Sequence, residues 1–436
     1  MEKLLQFVWQ HRLGLRRDMM TVDGHTVRVL DQGTLNTMAG PDFFNASIEI
    51  DGQNWVGNVE IHVRASDWYR HGHQNDRAYD SVILHVVKIS DMEVKRPDGQ
   101  IIPQMVIKCD PTAADRCNRL TDSAASSLPC RRILAEMHPL YVTDWITSLA
   151  YQRLYRKSDR ILDIVEQTHG DWAEATYRTL ARTLGFGHSS QPFEQLAASL
   201  PLSYLLKHRD NQDACEAMFF GQAGLIPDPT IDEHPYITRL RQNYLFLANK
   251  FDLHCTHPIW KSGRPQNNPM RLIAYLAQMI CYTDNLLDEM ECARTLDDLR
   301  DVFDHPLLGF WANTFTFNSA PAPSSDGLKQ RGNSVPARAI GRDGIDRIII
   351  NLAVPMLHAR ACWRGDSEAA TAAVEILEKL KPEDNSITRL FSSAGINNRD
   401  AFTSQAMIEL RREYCQRKKC IYCRFGHRML SAEIQR

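Results

Sequence analysis

The stretch that decides the fold of the N-terminal part is residues 41–63, which read PDFFNASIEIDGQNWVGNVEIHV. Two runs rich in β-branched and aromatic residues, 43–50 and 55–63, flank the dipeptide Asp51-Gly52. Aspartate followed by glycine favours a tight hairpin turn, because glycine accepts a positive φ angle. The pattern therefore predicts two antiparallel strands that are joined by this turn.

The second run separates apolar from polar side chains. Side chains alternate between the two faces of a strand, so Val59, Ile61 and Val63 share one face. Glu60 and His62 share the other face. We expect the apolar face to pack on a core and the polar face to line a cleft.

Acidic and imidazole side chains concentrate around this hairpin. Asp42 begins the first strand and would lie near Glu60 once the hairpin closes, and four of the 16 histidines fall within residues 62–85. Two carboxylates suit a hard divalent cation such as Mg²⁺ or Mn²⁺, and imidazole binds metals or carries protons near neutral pH. The predicted catalytic residues are Asp42, Glu60, His62, His71, His73 and His85, and the predicted metal ligands among them are Asp42, Glu60 and His62.

Each of these residues also has a purely structural interpretation. Gly40-Pro41-Asp42 fits a turn, in which proline restricts φ and aspartate caps the chain. Glu60 and His62 fit the solvated face of an antiparallel sheet. His85 lies between apolar residues and fits a hydrogen-bonded core histidine. The residue types alone leave both interpretations open.

The remaining chain is mainly helical. A helical pattern covers residues 2–11, and further strand patterns cover 25–30, 82–87 and 101–107. From about residue 131 the apolar period becomes helical, as in 141–167, and residues 110–129 and 318–338 are typical of linkers. The sequence predicts an α+β fold with a β-rich domain at 1–110, a helical domain at 131–318 and a helical C-terminal part at 338–436.

Charge and cysteine content restrict the class of protein. The 436 residues include 51 Lys and Arg and 53 Asp and Glu, a net charge of −2, which excludes a strongly basic nucleic-acid coat. No apolar run approaches the length of a membrane span, and the N-terminus lacks the pattern of a secretory signal. Eleven cysteines scattered along a long chain argue against a disulfide scaffold. We expect a cytoplasmic protein that does not enter membranes.

A second cluster lies near the C-terminus. Cys415, Cys420, Cys423 and His427 would complete a tetrahedral zinc site. Alternatively, a distant cysteine such as Cys362 would supply the fourth ligand of an iron–sulfur cluster, or the thiols are only structural. Residues 411–436 hold eight Lys and Arg against two Glu, so this tail either contacts phosphates or forms the solvated face of a helix.

The N-terminal motif resembles the PD-(D/E)xK nuclease superfamily. In these enzymes a Pro-Asp begins one strand and a Glu-x-Lys lies on the next strand of a hairpin, with a helix and a further strand behind. Pro41-Asp42 and Glu60-Ile61-His62 follow this order, except that His62 replaces the usual lysine. The resemblance implies that Asp42 and Glu60 bind a metal ion and that His62 activates water. The histidine could instead be a ligand, or the site could be inactive.

Over its whole length the sequence also resembles the bacterial family DUF2851, a domain of unknown function. The segments that carry this resemblance include 39–43, 57–62, 66–68, 82–87, Arg264-Pro265, Ser404-Gln405 and the terminal cysteine segment. The resemblance implies a cytoplasmic bacterial protein and no established activity.

Three hypotheses of function follow from these residues. The first is a metal-dependent, nuclease-like phosphodiesterase. The second is a catalytically inactive module that binds nucleic acid or a protein partner. The third is a hydrolase of another substrate that uses a zinc site rich in histidine and aspartate.

Overall fold

A computed structural model of the 436-residue chain describes most of its length. The described residues are 1–12, 19–36, 39–96, 98–107, 128–187, 189–230, 233–255, 258–260, 268–317 and 340–431. The two predicted linkers, 110–129 and 318–338, lie almost entirely outside them.

The β-structure lies in the first 107 residues. Helix α1, Glu2–Gln10, precedes the strands. The strands are β1 (Met19–Met20), β2 (Thr26–Asp31), β3 (Thr34–Leu35), β4 (Phe43–Ile50), β5 (Gln53–Arg64), β6 (Val82–Ile89) and β7 (Gln104–Val106). In the described chain they form one seven-stranded mixed sheet with the order β1-β2-β4-β5-β6-β7, and β3 pairs with β4.

The predicted hairpin is present. β4 and β5 pair antiparallel across Asp51-Gly52, and Ile50 pairs with Gln53. Asp51 and Gly52 both have positive φ, of 48° and 82°, as this tight turn requires. β6 then pairs parallel with β5, after a crossover that contains α2 (Asp67–Arg70) and two 3₁₀ turns, His73–Asn75 and Arg77–Tyr79.

Both faces of the sheet are covered. Leu4, Leu5, Val8 and Trp9 of α1 pack with the apolar side chains of one sheet face, including Val59 and Ile61. On the other face, Trp68, Tyr79, Val82 and Val87 belong to a second buried cluster. Glu60 and His62 are therefore 5% and 1% exposed, which corrects the alternative that they lie on a solvated face.

The rest of the described chain is helical. The helices are α3 (Arg131–Glu136), α4 (Pro139–Gln167), α5 (Trp172–Leu184), α6 (Ser190–Ser199), α7 (Leu202–Leu206), α8 (Gln212–Gln222), α9 (Pro235–Phe251), α10 (Pro269–Tyr282), α11 (Leu286–Cys292), α12 (Leu296–Asp301), α13 (Arg342–Ile348), α14 (Val354–Arg364), α15 (Ser367–Lys379), α16 (Ser386–Ser392), α17 (Ala401–Glu409) and α18 (Arg424–Ser431). Short 3₁₀ turns occur at Gly309–Ala312 and Cys420–Tyr422. Single π turns extend α13 at Ile349–Ala353 and α17 at Leu410–Cys415. The predicted α+β class is confirmed.

The chain forms two compact units. Unit 1 contains Met1–Ile146, Asn385–Asn397 and Met407–Arg436, and unit 2 contains Thr147–Asp384 and Asn398–Ala406. The predicted domain 1–110 lies within unit 1, whereas residues of the predicted part 338–436 contribute to both units. Among the described helices, none combines the length and the apolar character that crossing a bilayer requires.

Candidate functional site

The candidate site lies on the face of the sheet opposite α1 and is assembled from consecutive elements of unit 1. β5 contributes Glu60 and His62. β6 pairs parallel with β5 and contributes His85, which is the register partner of Glu60 in this strand pair. The crossover between β5 and β6 contributes the two remaining histidines: His71 follows α2, and His73 begins the first 3₁₀ turn. Gly72 between them has a φ of +78°, so the chain reverses there and returns His73 to the sheet.

Three imidazoles and one carboxylate converge. The ligand nitrogens of His62, His71 and His73 all lie within 4.8 Å of one another. His62 Nε2 lies 3.1 Å from His71 Nδ1 and 3.4 Å from Glu60 Oε1. His73 Nε2 lies 3.2 Å from the same carboxylate oxygen.

These separations suit a shared cation. Ligand atoms that each lie about 2.0–2.2 Å from one metal ion, at tetrahedral or octahedral angles, are about 3.0–3.5 Å apart. Although His73 Nε2 is close to Glu60, the contact lacks hydrogen-bond geometry, and among the described residues this buried nitrogen has no hydrogen-bond partner. An unpartnered imidazole nitrogen that faces a carboxylate is what a ligand without its metal ion presents.

Asp42 positions Glu60. The backbone N–H of Asp42 donates to Glu60 Oε2 at 3.0 Å, which leaves Oε1 directed at the histidines. The Asp42 carboxylate accepts from Gln6 Nε2 at 2.8 Å and from the backbone N–H of Ile61 at 3.0 Å. Predicted residues Asp42 and Glu60 therefore meet as expected, but hydrogen bonds from α1 and β5 hold the Asp42 carboxylate.

His85 lies behind the site. Its Nε2 is 2.9 Å from His62 Nδ1, so the two ring nitrogens of His62 contact His85 and His71. His85 is fully buried, which matches the core-histidine alternative, and its Nδ1 has no hydrogen-bond partner among the described residues. A partner behind a ligating imidazole sets its tautomer and orientation.

Burial shifts the acid–base properties of these groups. Burial raises the pKa of Glu60 to about 8, although the hydrogen bond from the backbone N–H of Asp42 lowers it. Burial also raises the pKa of Asp42 to about 7, and the charge of Glu60 adds to this effect. A bound cation would oppose both effects, because it stabilises the ionised carboxylates.

The buried histidines are neutral at physiological pH. Burial, then the neighbouring imidazoles, lower the pKa of His62 to about 2. Burial and His73 lower the pKa of His85 to about 3, and burial also lowers that of His73. Metal coordination requires the neutral imidazole, so the lone pairs of these side chains are available as ligands.

Two contributors were not predicted from the sequence. Gln6 lies on α1 and reaches Asp42 across 36 positions of the chain, so no local pattern indicates it. Tyr79 stacks on the His73 ring with a centroid distance of 3.8 Å and a 21° interplanar angle. In the sequence, the position of Tyr79 within the histidine-rich segment was the only signal that could have indicated this contact. Trp68 is fully buried against His73 and His85.

The comparison with protein families identifies the chain. The family described as "Protein of unknown function (DUF2851)" matches residues 2–386. The chain belongs to this family. The match includes the whole Asp/Glu/His site, whereas the C-terminal cysteines of this DUF2851 member follow the matched range. No curated protein and no solved structure was found to match the chain.

The predicted C-terminal ligands take different positions in unit 1. Cys415 ends the π turn after α17, Cys420 begins a 3₁₀ turn and Cys423 directly precedes α18. The ring of His427 packs against Phe7 and His11, with centroid distances of 5.2 and 4.4 Å. Cys362, offered as a distant fourth ligand, lies in unit 2, where its sulfur is 3.7 Å from His358 Nε2.

Proposed function

We propose that this DUF2851 protein is a metal-dependent, nuclease-like phosphodiesterase. The observation that carries the proposal is the convergence of Glu60 with His62, His71 and His73 beside Asp42. A core that served only packing would not bring Glu60 Oε1 within 3.2–3.4 Å of His62 Nε2 and His73 Nε2. Nor would it leave the buried His73 Nε2 without a hydrogen-bond partner among the described residues.

The donor set favours one of the two predicted metals. Mg²⁺ prefers oxygen ligands and retains several waters, whereas imidazole suits transition metals. Three histidines and one carboxylate therefore favour Mn²⁺ over Mg²⁺. Zn²⁺ accepts the same ligands, so it belongs to the test as the metal of the alternative hydrolase hypothesis.

The order of elements supports the choice of substrate. An aspartate directly precedes β4, a glutamate and a histidine lie on β5 of the same hairpin, and a crossover helix leads to the parallel strand β6. This is the order that the resemblance to PD-(D/E)xK nucleases implies. Arg70 forms an ion pair with Asp67 at 2.9 Å, and its side chain is 69% exposed next to the exposed His71, so its guanidinium can also contact a phosphodiester oxygen.

The side chains have separable roles in this proposal. Glu60, His62 and His73 would hold the cation, which would lower the pKa of a coordinated water and polarise the phosphoryl oxygen. Asp42 and Gln6 orient Glu60. His71 is the exposed member of the group, so it can either complete the ligand set or accept the proton of the attacking water.

The test is phosphodiester hydrolysis by the full-length chain. Linear single-stranded and double-stranded DNA, RNA and bis(p-nitrophenyl) phosphate are each incubated with protein and Mn²⁺, Mg²⁺ or Zn²⁺. We expect activity that requires added metal, is highest with Mn²⁺ and falls at least about 100-fold in Glu60→Gln, because the carboxylate ligand is lost.

The matched control is Glu93→Gln, since Glu93 is exposed and pairs only at the surface with Lys95. This variant should retain wild-type activity. Equal hydrolysis by wild type and Glu60→Gln, or hydrolysis that does not depend on added metal, would contradict the proposal. Zinc-dependent hydrolysis of substrates other than phosphodiesters would favour the alternative hydrolase.

A second candidate function is nucleic-acid binding without catalysis. Arg417, Lys418 and Lys419 are exposed in a tail segment that has a net positive charge. A salt-dependent gel shift that charge reversal of these three residues abolishes, without any hydrolysis, would support this function. Absence of DNA and RNA binding at low salt would contradict it. In either case we infer a reducing, cytoplasmic setting, as the cysteine content predicts.

A further inference from the structure

Four cysteines from distant parts of the sequence meet within unit 1. Cys130 directly precedes α3, and Cys423 directly precedes α18, and these two helices pack on each other. Cys420 begins the 3₁₀ turn Cys420–Tyr422, which packs on α18 and on the π turn that ends at Cys415. The residues that precede two packed helices and the residues of two adjoining turns therefore place four cysteines in one region.

The backbone here is closely packed. A Cβ atom on Gly426 would lie 2.0 Å from the carbonyl oxygen of Cys420, so only glycine allows α18 to approach the preceding turn. The N–H of Cys423 donates to the Cys420 carbonyl at 3.2 Å. These contacts hold Cys420 and Cys423 in a defined relative position.

The thiols influence one another. Burial raises the pKa of Cys130 to about 12, and Cys423 and Cys420 contribute to this increase. Burial also raises the pKa of Cys415 to about 12, with contributions from Cys423, Cys130 and Cys420. These mutual influences agree with the packing of the elements that carry the four cysteines.

A buried donor is directed at the same region. The indole nitrogen of Trp145 is buried and has no hydrogen-bond partner among the described residues. This group and the backbone N–H groups of Phe425 and Gly426 are directed at the Cys423 sulfur, where they oppose the effect of burial on its pKa. Three N–H donors around one sulfur suit a thiolate that ligates a metal centre.

The spacing of the sulfurs distinguishes the centres that four thiolates can hold. In a mononuclear zinc site, Zn–S bonds of about 2.3 Å place the sulfurs about 3.8 Å apart. Within the described chain, the ligand atoms found within 4.8 Å of one another are those of the histidine group, which contains none of these sulfurs. A wider arrangement suits a polynuclear cluster, in which each cysteine binds a different iron atom.

We propose that Cys130, Cys415, Cys420 and Cys423 ligate a [4Fe–4S] cluster. The cluster joins the segment that begins at Cys130 to the C-terminal residues of the same unit. The proposal does not depend on the phosphodiesterase function, because it rests on other residues.

The test uses the full-length chain, purified without oxygen and also reconstituted with ferrous iron and sulfide. We expect about four iron atoms and about four acid-labile sulfides per chain, with the visible absorption and the Mössbauer spectrum of a [4Fe–4S] centre. One zinc per chain without iron, or no bound iron after reconstitution, would overturn the proposal.

Two serine variants assign the ligands. Cys130→Ser should lose most of the iron, whereas Cys292→Ser, which changes an exposed cysteine of unit 2, should retain it. If Cys130→Ser does not fold, Cys420→Ser provides the second test of the ligand set, and the spectra of the wild-type protein still decide whether the cluster exists. Unchanged iron content in both ligand variants would contradict the assignment.

Discussion

At the scale of single residues, the candidate site depends on hydrogen bonds that reach it from outside the histidine segment. Gln6 donates to Asp42, and Asp42 in turn donates its backbone N–H to Glu60. Glu60 can present one oxygen to the histidines because this chain of contacts holds the other oxygen. We therefore regard Gln6 as a positioning residue.

Gln6→Leu should weaken Mn²⁺ binding by about 10- to 100-fold, because groups that orient a ligand affect metal affinity on this scale. The measurement is isothermal titration calorimetry of the purified chain with Mn²⁺. Gln10→Leu, on the same helix, is the control and should bind as wild type does. Identical affinities of Gln6→Leu and wild type would show that Asp42 holds Glu60 without help from α1.

Glu216 is a buried acid in unit 2 that the candidate site does not use. It is 1% exposed and accepts hydrogen bonds from Gln212, Gln278 and Tyr236. Burial raises its pKa above the usual value of 4.5, although these hydrogen bonds oppose the increase. The folded chain therefore binds this proton more tightly than the unfolded chain does.

This difference predicts a pH dependence of stability. The contribution of Glu216 to the free energy of unfolding is fully present below about pH 4.5 and decreases as pH rises through its raised pKa. In Glu216→Gln this contribution is absent, so the stability of wild type relative to the variant should increase as pH falls from about 8 to about 5. Denaturant unfolding at several pH values measures this difference in the free energy of unfolding between wild type and the variant. Parallel stability–pH profiles of wild type and Glu216→Gln would contradict the raised pKa. The control is Glu378→Gln, because Glu378 is exposed.

At the scale of secondary-structure elements, the pairing of β5 with β6 determines whether the site forms. The Asn58 N–H donates to the Ser81 carbonyl at 2.8 Å, and Asn58 Nδ2 donates to Ser81 Oγ at 2.7 Å. The preceding residue, Gly57, lies directly against Ser81 and Ile83. Glu60 lies beside His85 because β5 and β6 pair in parallel. The start of this strand pair therefore depends on the absence of a side chain at Gly57.

Gly57→Ala should reduce the free energy of unfolding by about 1–3 kcal/mol, the range for overpacked positions. Its Cβ would lie 2.4 Å from Ile83 Cγ2 and 2.7 Å from the Ser81 carbonyl oxygen, so the strands must separate. Chemical denaturation measures the change. Gly341→Ala is the control for added bulk, because nothing lies within 4 Å of its new Cβ. Gly341 is the N-cap of α13, where alanine is less favourable than glycine, so this variant should lose up to about 1 kcal/mol. Equal stability of the two variants would contradict this account of the strand pair.

At the scale of the whole molecule, the order of the sequence and the composition of the compact units differ. Unit 1 combines the N-terminal 146 residues with two later segments, 385–397 and 407–436. Phe7 of α1 packs in a small buried cluster with Ile421 and Met429. Residues near the C-terminus therefore complete the unit that contains the histidine site.

A fragment of residues 1–146 should not reproduce the stability of this unit, because the surface that the later segments cover would be exposed to water. Amide hydrogen exchange compares the fragment with the same residues in the full chain. We expect faster exchange throughout the fragment, including strands β4 and β5. Equal protection in the two samples would show that residues 1–146 fold independently.

The sequence by itself determined the local elements of the β-rich part. The Asp51-Gly52 turn, the alternation of Val59 and Ile61 with Glu60, and the apolar run at 82–87 predicted the hairpin and the next strand, and the structure contains all three. These features depend on backbone preferences and on side-chain periodicity over a few residues, and both can be read from neighbouring positions.

Only the tertiary structure decided which distant groups meet. It paired Gln6 with Asp42, buried Glu60 and His62, and placed Cys130 in the same unit as the C-terminal cysteines. No local pattern encodes such pairs, because the packing of whole elements brings together residues that the sequence separates by tens to hundreds of positions. Burial, and with it the pKa of each acid and histidine, follows from the same packing.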